Sequence, residues 1–147
     1  MKFSESLKSN RDFKTVYSNG KSYANKYLVM YVLENGTQKN RLGISVSKKV
    51  GNSVVRHRLT RLVRESYRLH EDIFNSGLDI VVVVRVNAKD IGYAEMESAL
   101  LHASKLHKKR RCLQSFTIRT EKEKLLSSII FSIWHSLIVN YPLSIVN

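Results

Sequence analysis

Residues 78–86, LDIVVVVRV, make a near-continuous apolar run whose length and branched side chains fit a β-strand buried on both faces. Such a strand commits the chain to a sheet with apolar material packed against it. With 147 residues and 43% hydrophobic content the chain can bury a core of that kind, which excludes wholesale disorder and favours one principal domain.

Period and punctuation place the other elements. Residues 10–18, NRDFKTVYS, read as a short helix with Phe13, Val16 and Tyr17 on one side and Ser9 or Asn10 as its cap. Asn19-Gly20 is expected to end it through a left-handed glycine. Residues 26–34, KYLVMYVLE, read as a strand with Tyr27, Val29, Tyr31 and Leu33 on one face and Leu28, Met30 and Val32 on the other. Residues 41–47 read as a second strand, with Leu42, Ile44 and Val46 inward and Arg41, Gly43, Ser45 and Ser47 outward. The short polar loop at Asn35-Gly36 suggests that these two strands form an antiparallel pair. Lys48 to Asn52 form a turn into a helix capped by Asn52 or Ser53 and ending near His70. Residues 93–108 read as an amphipathic helix with Met96, Ala99, Leu100, Ala103 and Leu106 toward the core and a basic C-terminal end. The expected order is α-β-β-α-β-α.

Charge is concentrated in one part of this framework. The chain has 25 Lys and Arg against 12 Asp and Glu, a formal net charge of +13. Between Arg41 and Arg68 lie Lys48, Lys49, Arg56, Arg58, Arg61 and Arg64 besides the two ends, against the single acid Glu65. On the helix, a 100° step puts Val55, Leu59, Leu62, Ser66 and Leu69 in one stripe, and His57, Arg61, Arg64 and Arg68 in a stripe nearly opposite. The second stripe is a ladder about 16 Å long at ~1.5 Å per residue. Stacked like charges destabilise a helix, and Glu65 can relieve only part of that through Arg61 or Arg68. An external polyanion accounts best for the remainder, since the planar guanidinium suits phosphate. Aromatic rings on an exposed sheet face would add base stacking. By spacing alone Phe13 and Tyr17 read equally as core, and Tyr27, on the strand face of Tyr31, extends either role.

The run RLGISVSKKVGNSVVRHRLTRLVRE resembles the protein subunit of bacterial ribonuclease P, whose pattern is R-x-G-x-S-V-S-K-K-x-G-N-A-V-x-R-N-R-x-K-R-x-x-R-E. The flanking NRDFKTVYSNG, KSYANKYLVMYVL, LDIVVVVRVNA and LLHASKLHKK match in order and spacing, so that the resemblance covers about residues 1–109. It implies an α+β fold, a two-layer α/β sandwich of the ribosomal-protein-S5-domain-2-like kind, with a mixed sheet packed against helices and a left-handed βαβ crossover. It implies a role in 5′ maturation of precursor tRNA, with the RNA subunit and Mg2+ cleaving the bond and the protein binding RNA. Lys48, Lys49, Asn52, Arg56, Arg58, Arg61 and Arg64 correspond to the motif that meets the catalytic RNA; His57 and Arg68 belong to the same basic stripe. Phe13, Tyr17 and Tyr31 match the cleft that takes the 5′ leader. His57 stands where the family usually has Asn, and Thr60 where it often has Lys. The alternative is a general RNA-binding or ribosomal protein with no processing role.

Other chemistries find little support. Cys112 is the only cysteine, which excludes an internal disulfide and a CxxC site. His57, His70, His102, His107 and His135 lack metal-ligand spacing, so no metal or cofactor is expected on the protein itself, and no small-molecule substrate. Glu95 and Glu97 read as solvated. There is no phosphate-loop, GxSxG or HExxH motif. MKFSESLKSNRDFK lacks an apolar secretory core, so a cytoplasmic location is expected. Residues 110–147 read as a C-terminal extension of unknown role. Its last part, 125–147, carries no charged side chain, which raises membrane association; Asn140, Pro142, serines and His135 weigh against insertion.

Overall fold

The structure, a computed structural model, describes residues 4–74 and 76–108. Expectations about the extension 110–147, with Cys112 and His135, lie outside the described residues. Five strands form one mixed sheet: β1 Ser4–Ser6, β2 Lys21–Ala24, β3 Leu28–Glu34, β4 Asn40–Val46 and β5 Leu78–Val84, in the order β1-β4-β5-β3-β2. Helix α1, Asn10–Asn19, links β1 to β2, and helix α2, Ser53–Leu69, links β4 to β5. Helix α3 begins at residue 93 and is described to residue 108.

β5 takes the centre, antiparallel to β3 and parallel to β4. Its even-numbered side chains, Leu78, Ile80, Val82 and Val84, enter the larger core with Leu59, Val63 and Tyr67 of α2 and Met96, Leu100 and Ala103 of α3. Val81 enters a smaller core on the opposite face with Leu7 and Val16 of α1. The apolar run is therefore buried on both sides, as its composition demands.

That central position overturns the expected β3–β4 pair. Loop 35–39 does not close a hairpin but crosses the start of β5. The Asn35 N–H donates to the Gly77 carbonyl at 2.9 Å, and the Asn40 side chain accepts the Leu78 N–H at 2.9 Å. A β3–β4 hairpin would push the most apolar strand toward an edge, where unpaired backbone groups face water.

Two strands went unread in the sequence. β1 pairs in parallel with β4 over three residues and has no apolar alternation to announce it. β2 pairs with β3 through a tight connection built on Asn25, whose Oδ1 accepts the N–H of Tyr27 at 3.1 Å and of Leu28 at 2.9 Å. Tyr27 thus precedes β3 and packs against the larger core, not beside Tyr31.

Gly20 ends α1 in an extended conformation, φ −77°, not a left-handed one. The residue is small for another reason: a Cβ there would lie 2.4 Å from the Val16 carbonyl oxygen. On α2 the docking stripe is rotated from the expected one. Leu59, Val63, Ser66 and Tyr67 are buried, whereas Leu69 is 53% exposed. The i, i+4 ridge 59-63-67 seats on the sheet, and the Tyr67 ring continues it to Phe74, 4.9 Å between centroids. Glu95 and Glu97 are not simply solvated: Glu95 accepts the Gly92 N–H at 2.6 Å at the start of α3, and Glu97 accepts the Tyr93 hydroxyl at 3.2 Å.

Candidate nucleic-acid interface

The basic motif is assembled around the start of α2. Ser47 accepts the Lys49 N–H at 3.3 Å, which shapes the turn Lys48–Val50 and leaves both lysine side chains exposed. Asn52 caps α2 by accepting the Val55 N–H at 3.0 Å. This satisfies one of the otherwise unpaired donors of the first turn while the positive end of the helix dipole stays toward solvent.

His57, Arg58, Arg61, Arg64 and Arg68 are all exposed, on the side of α2 away from the sheet. They are not equivalent. Arg61 and Arg64 have no ion-pair or hydrogen-bond partner among the described residues. Arg58 donates to the carbonyls of Ile91 at 2.7 Å and Lys89 at 3.4 Å, which ties α2 to the segment before α3. Arg56 is half-buried, and its enclosed Nε has no hydrogen-bond partner. Arg68 closes its guanidinium fork on Glu65, at 2.9 and 2.6 Å, and holds that carboxyl below its usual range. Arg41 is half-buried and spent on internal pairing: it bonds Asp79, which is 4% exposed, and reaches Asp12 of α1 at 3.3 Å. Its charge fastens α1 to the sheet and does not join the ladder. Ser53, Val54, His57, Arg58, Arg61 and Leu62 line an open groove of about 590 Å³. Val54, 73% exposed, contributes an apolar surface beside the cations.

The aromatic group lies on the other face of the sheet. Tyr17 meets Tyr31 edge to face with centroids 5.1 Å apart, and Phe13 lies 6.3 Å from Tyr17. Phe13 rests on Gly43, where a Cβ would come within 2.6 Å of the ring. The rings are therefore both packed and accessible: Phe13 and Tyr31 are half-buried against the smaller core, and Tyr17 is 39% exposed. The sequence left core and surface open as alternatives, and the structure makes them one arrangement.

Three residues of this face were not among the site residues expected from the sequence, although Val29 was placed on the face of Tyr31 and Ser45 outward. The register aligns Val29, Val83 and Ser45 in a row next to that of Tyr31, Val81 and Gly43, and all three are half-buried. They form a floor beyond the rings. No local signal marks them, because the row exists only once β3, β5 and β4 are adjacent.

The ladder and the rings occupy opposite faces, joined around the end of β4, where Ser45 leads through Ser47 to Lys48 and Lys49. Such a molecule can hold two nucleic-acid segments at once: a backbone along α2 by charge, and unpaired bases on the aromatic face by stacking.

Comparison with known proteins gives the family of the chain. The family model described as Ribonuclease P matches residues 1–126. The ribonuclease P protein component of Lachnoclostridium phytofermentans is 67% identical over 105 residues, which cover 71% of this chain and 90% of that protein. That of Alkaliphilus metalliredigens is 52% identical over 102 residues, 69% of this chain and 92% of that protein. Among solved structures, the ribonuclease P protein of Staphylococcus aureus superposes with a TM-score of 0.67 at 38% identity, covering 71% of this chain and 96% of that one. With the mixed sheet, the helices on it and the basic motif of α2 in place, the chain belongs to the ribonuclease P protein family.

Proposed function

We propose that this chain is the RNA-binding subunit of a ribonuclease P holoenzyme that removes the 5′ leader of precursor tRNA. Lys48, Lys49, Asn52, Arg56, His57, Arg58, Arg61 and Arg64 hold the catalytic RNA, Arg58 partly by fixing α2 in place. Phe13, Tyr17 and Tyr31 take the single-stranded leader. The RNA subunit, with Mg2+, hydrolyses the phosphodiester; the protein binds and orients. This reading assigns the chain to the cytoplasm. The observation that carries it is the exposed pair Arg61 and Arg64, unpartnered among the described residues and separate from the aromatic face. As to a membrane role, no helix among the described residues is long and apolar enough to cross a bilayer.

Reconstitution with ribonuclease P RNA tests the proposal. Added protein is expected to lower the Mg2+ needed to cleave precursor tRNA, and protein alone is expected to release no leader. RNA affinity should fall with salt by roughly 0.7 log units per phosphate contact per decade on single strands. Cleavage by metal-free protein alone would overturn the division of labour. The second reading, an RNA-binding protein with no processing role, predicts equal affinity of the complex for precursor and mature tRNA. The three clustered rings favour the first reading, because they offer a stacking site to an unpaired strand, and precursor tRNA carries such a strand in its leader where mature tRNA does not.

A further inference from the structure

Charge changes along α2 and the turn that follows it. From Ser53 to Arg64, SVVRHRLTRLVR, it has four arginines and His57 and no acid. From Glu65 to Phe74, ESYRLHEDIF, the chain has three acids, Glu65, Glu71 and Asp72, against Arg68 and His70. The side chains close the same division. Arg68 is held in a bidentate pair by Glu65, whereas Arg61 and Arg64 have no acidic partner among the described residues. The neighbouring helix adds another acid at this end, since Glu97 of α3 lies 3.5 Å from His70 Nε2. The helix dipole runs the same way, with its positive end at Asn52 and its negative end near His70.

We infer that the RNA footprint on α2 ends at Arg64 and that Glu65 is the residue that sets this limit. The inference deepens the proposed function and rests on it. A phosphate approaching Arg68 meets a guanidinium whose Nε and Nη2 are already on a carboxylate, with that carboxylate's charge beside it. A phosphate approaching Arg61 or Arg64 meets neither. Glu65 thus acts as a specificity residue by repulsion: it fixes where along the helix the RNA backbone must leave the protein, and so the register of α2 on its RNA.

The experiment measures the affinity of the full-length protein for ribonuclease P RNA as a function of salt. Arg61→Ala is expected to weaken binding and make the salt slope shallower, by about 0.7 to 0.9 log units per decade. Glu65→Gln is expected to tighten binding about threefold to tenfold and steepen the slope by a similar amount, because Arg68 becomes a new phosphate ligand. The double variant Glu65→Gln/Arg68→Ala is expected to return to the parent slope. The limit is refuted if Arg68→Ala in the parent reduces the slope as Arg61→Ala does, or if Glu65→Gln leaves it unchanged. If Arg61→Ala itself has no effect, the proposed RNA-binding role of α2 fails first. Glu65 and Arg68 are both exposed, so thermal melts of the variants should match the parent and exclude a folding defect.

Discussion

Tyr67 carries its hydroxyl under β1, where it shares a 3.0 Å hydrogen bond with Ser4 Oγ while the rest of the ring is fully buried. Burial raises its phenol above the ordinary 10.0, with the bond to Ser4 opposing that in part. A raised folded value means that the unfolded chain ionises first. The contribution to stability is complete below about pH 10 and is lost as pH rises through the folded value. Denaturant midpoints measured from pH 8 to 11 should fall more steeply for the parent than for Tyr67→Phe; equal slopes would show that this phenol is not responsible. At Gly43 the constraint is contact. Gly43→Ala forces the Phe13 ring to move, with Leu7 also only 3.1 Å from the added carbon. Overpacking of this kind costs about 1–3 kcal/mol. Discrimination between precursor and mature tRNA is expected to fall with stability, and a variant that keeps full discrimination would separate the ring cluster from leader binding. Sequence pattern named all three rings but not Gly43 as their seat. Which side chain a strand glycine faces is a contact between residues 30 positions apart.

At the scale of elements, α2 has a cap as well as its docking ridge. Asn52→Ala removes the acceptor for the Val55 N–H and should cost ~1 kcal/mol. Chemical denaturation checks this, and no loss of stability would mean that backbone or solvent replaces the cap. The cap was legible because it requires only a polar residue before an apolar period. The buried ridge was legible in part. The 100° step located Leu59 and Ser66 but favoured Leu69 over Val63 and Tyr67. Helical geometry gives the angle of each residue, while the position of the sheet beneath decides which angles and which turns are covered. The same holds for Arg41, whose outward place in β4 was correct and whose pairing with Asp79 depends on β5 lying next to β4.

For the whole molecule, two binding faces on one sheet should separate experimentally. Tyr17→Ala is expected to reduce affinity of the reconstituted complex for precursor tRNA by about 1–3 kcal/mol, the worth of one stacked base, and to leave affinity for mature tRNA unchanged. Arg61→Ala is expected to weaken association with ribonuclease P RNA whether or not tRNA is present. Both effects are read in a competition between precursor and mature tRNA combined with a direct RNA titration. Identical profiles for the two variants would mean that ladder and rings serve a single ligand.

The sequence by itself determined what is local: the apolar run that had to be buried on both sides, the helix starts to within a residue, at Ser9 or Asn10 and at Asn52 or Ser53, and the angular separation of arginines from core residues on α2. Each follows from the step per residue and from the chemistry of a few neighbours. Only the tertiary structure decided that β5 divides β3 from β4 and that β1 and β2 complete the sheet edges. It likewise decided that Arg41 pairs with the acids Asp79 and Asp12, that Glu65 takes Arg68 rather than Arg61, and that rings and ladder lie on opposite faces. Those outcomes depend on which of several distant or competing partners is reached in three dimensions, and no period along the chain records that choice.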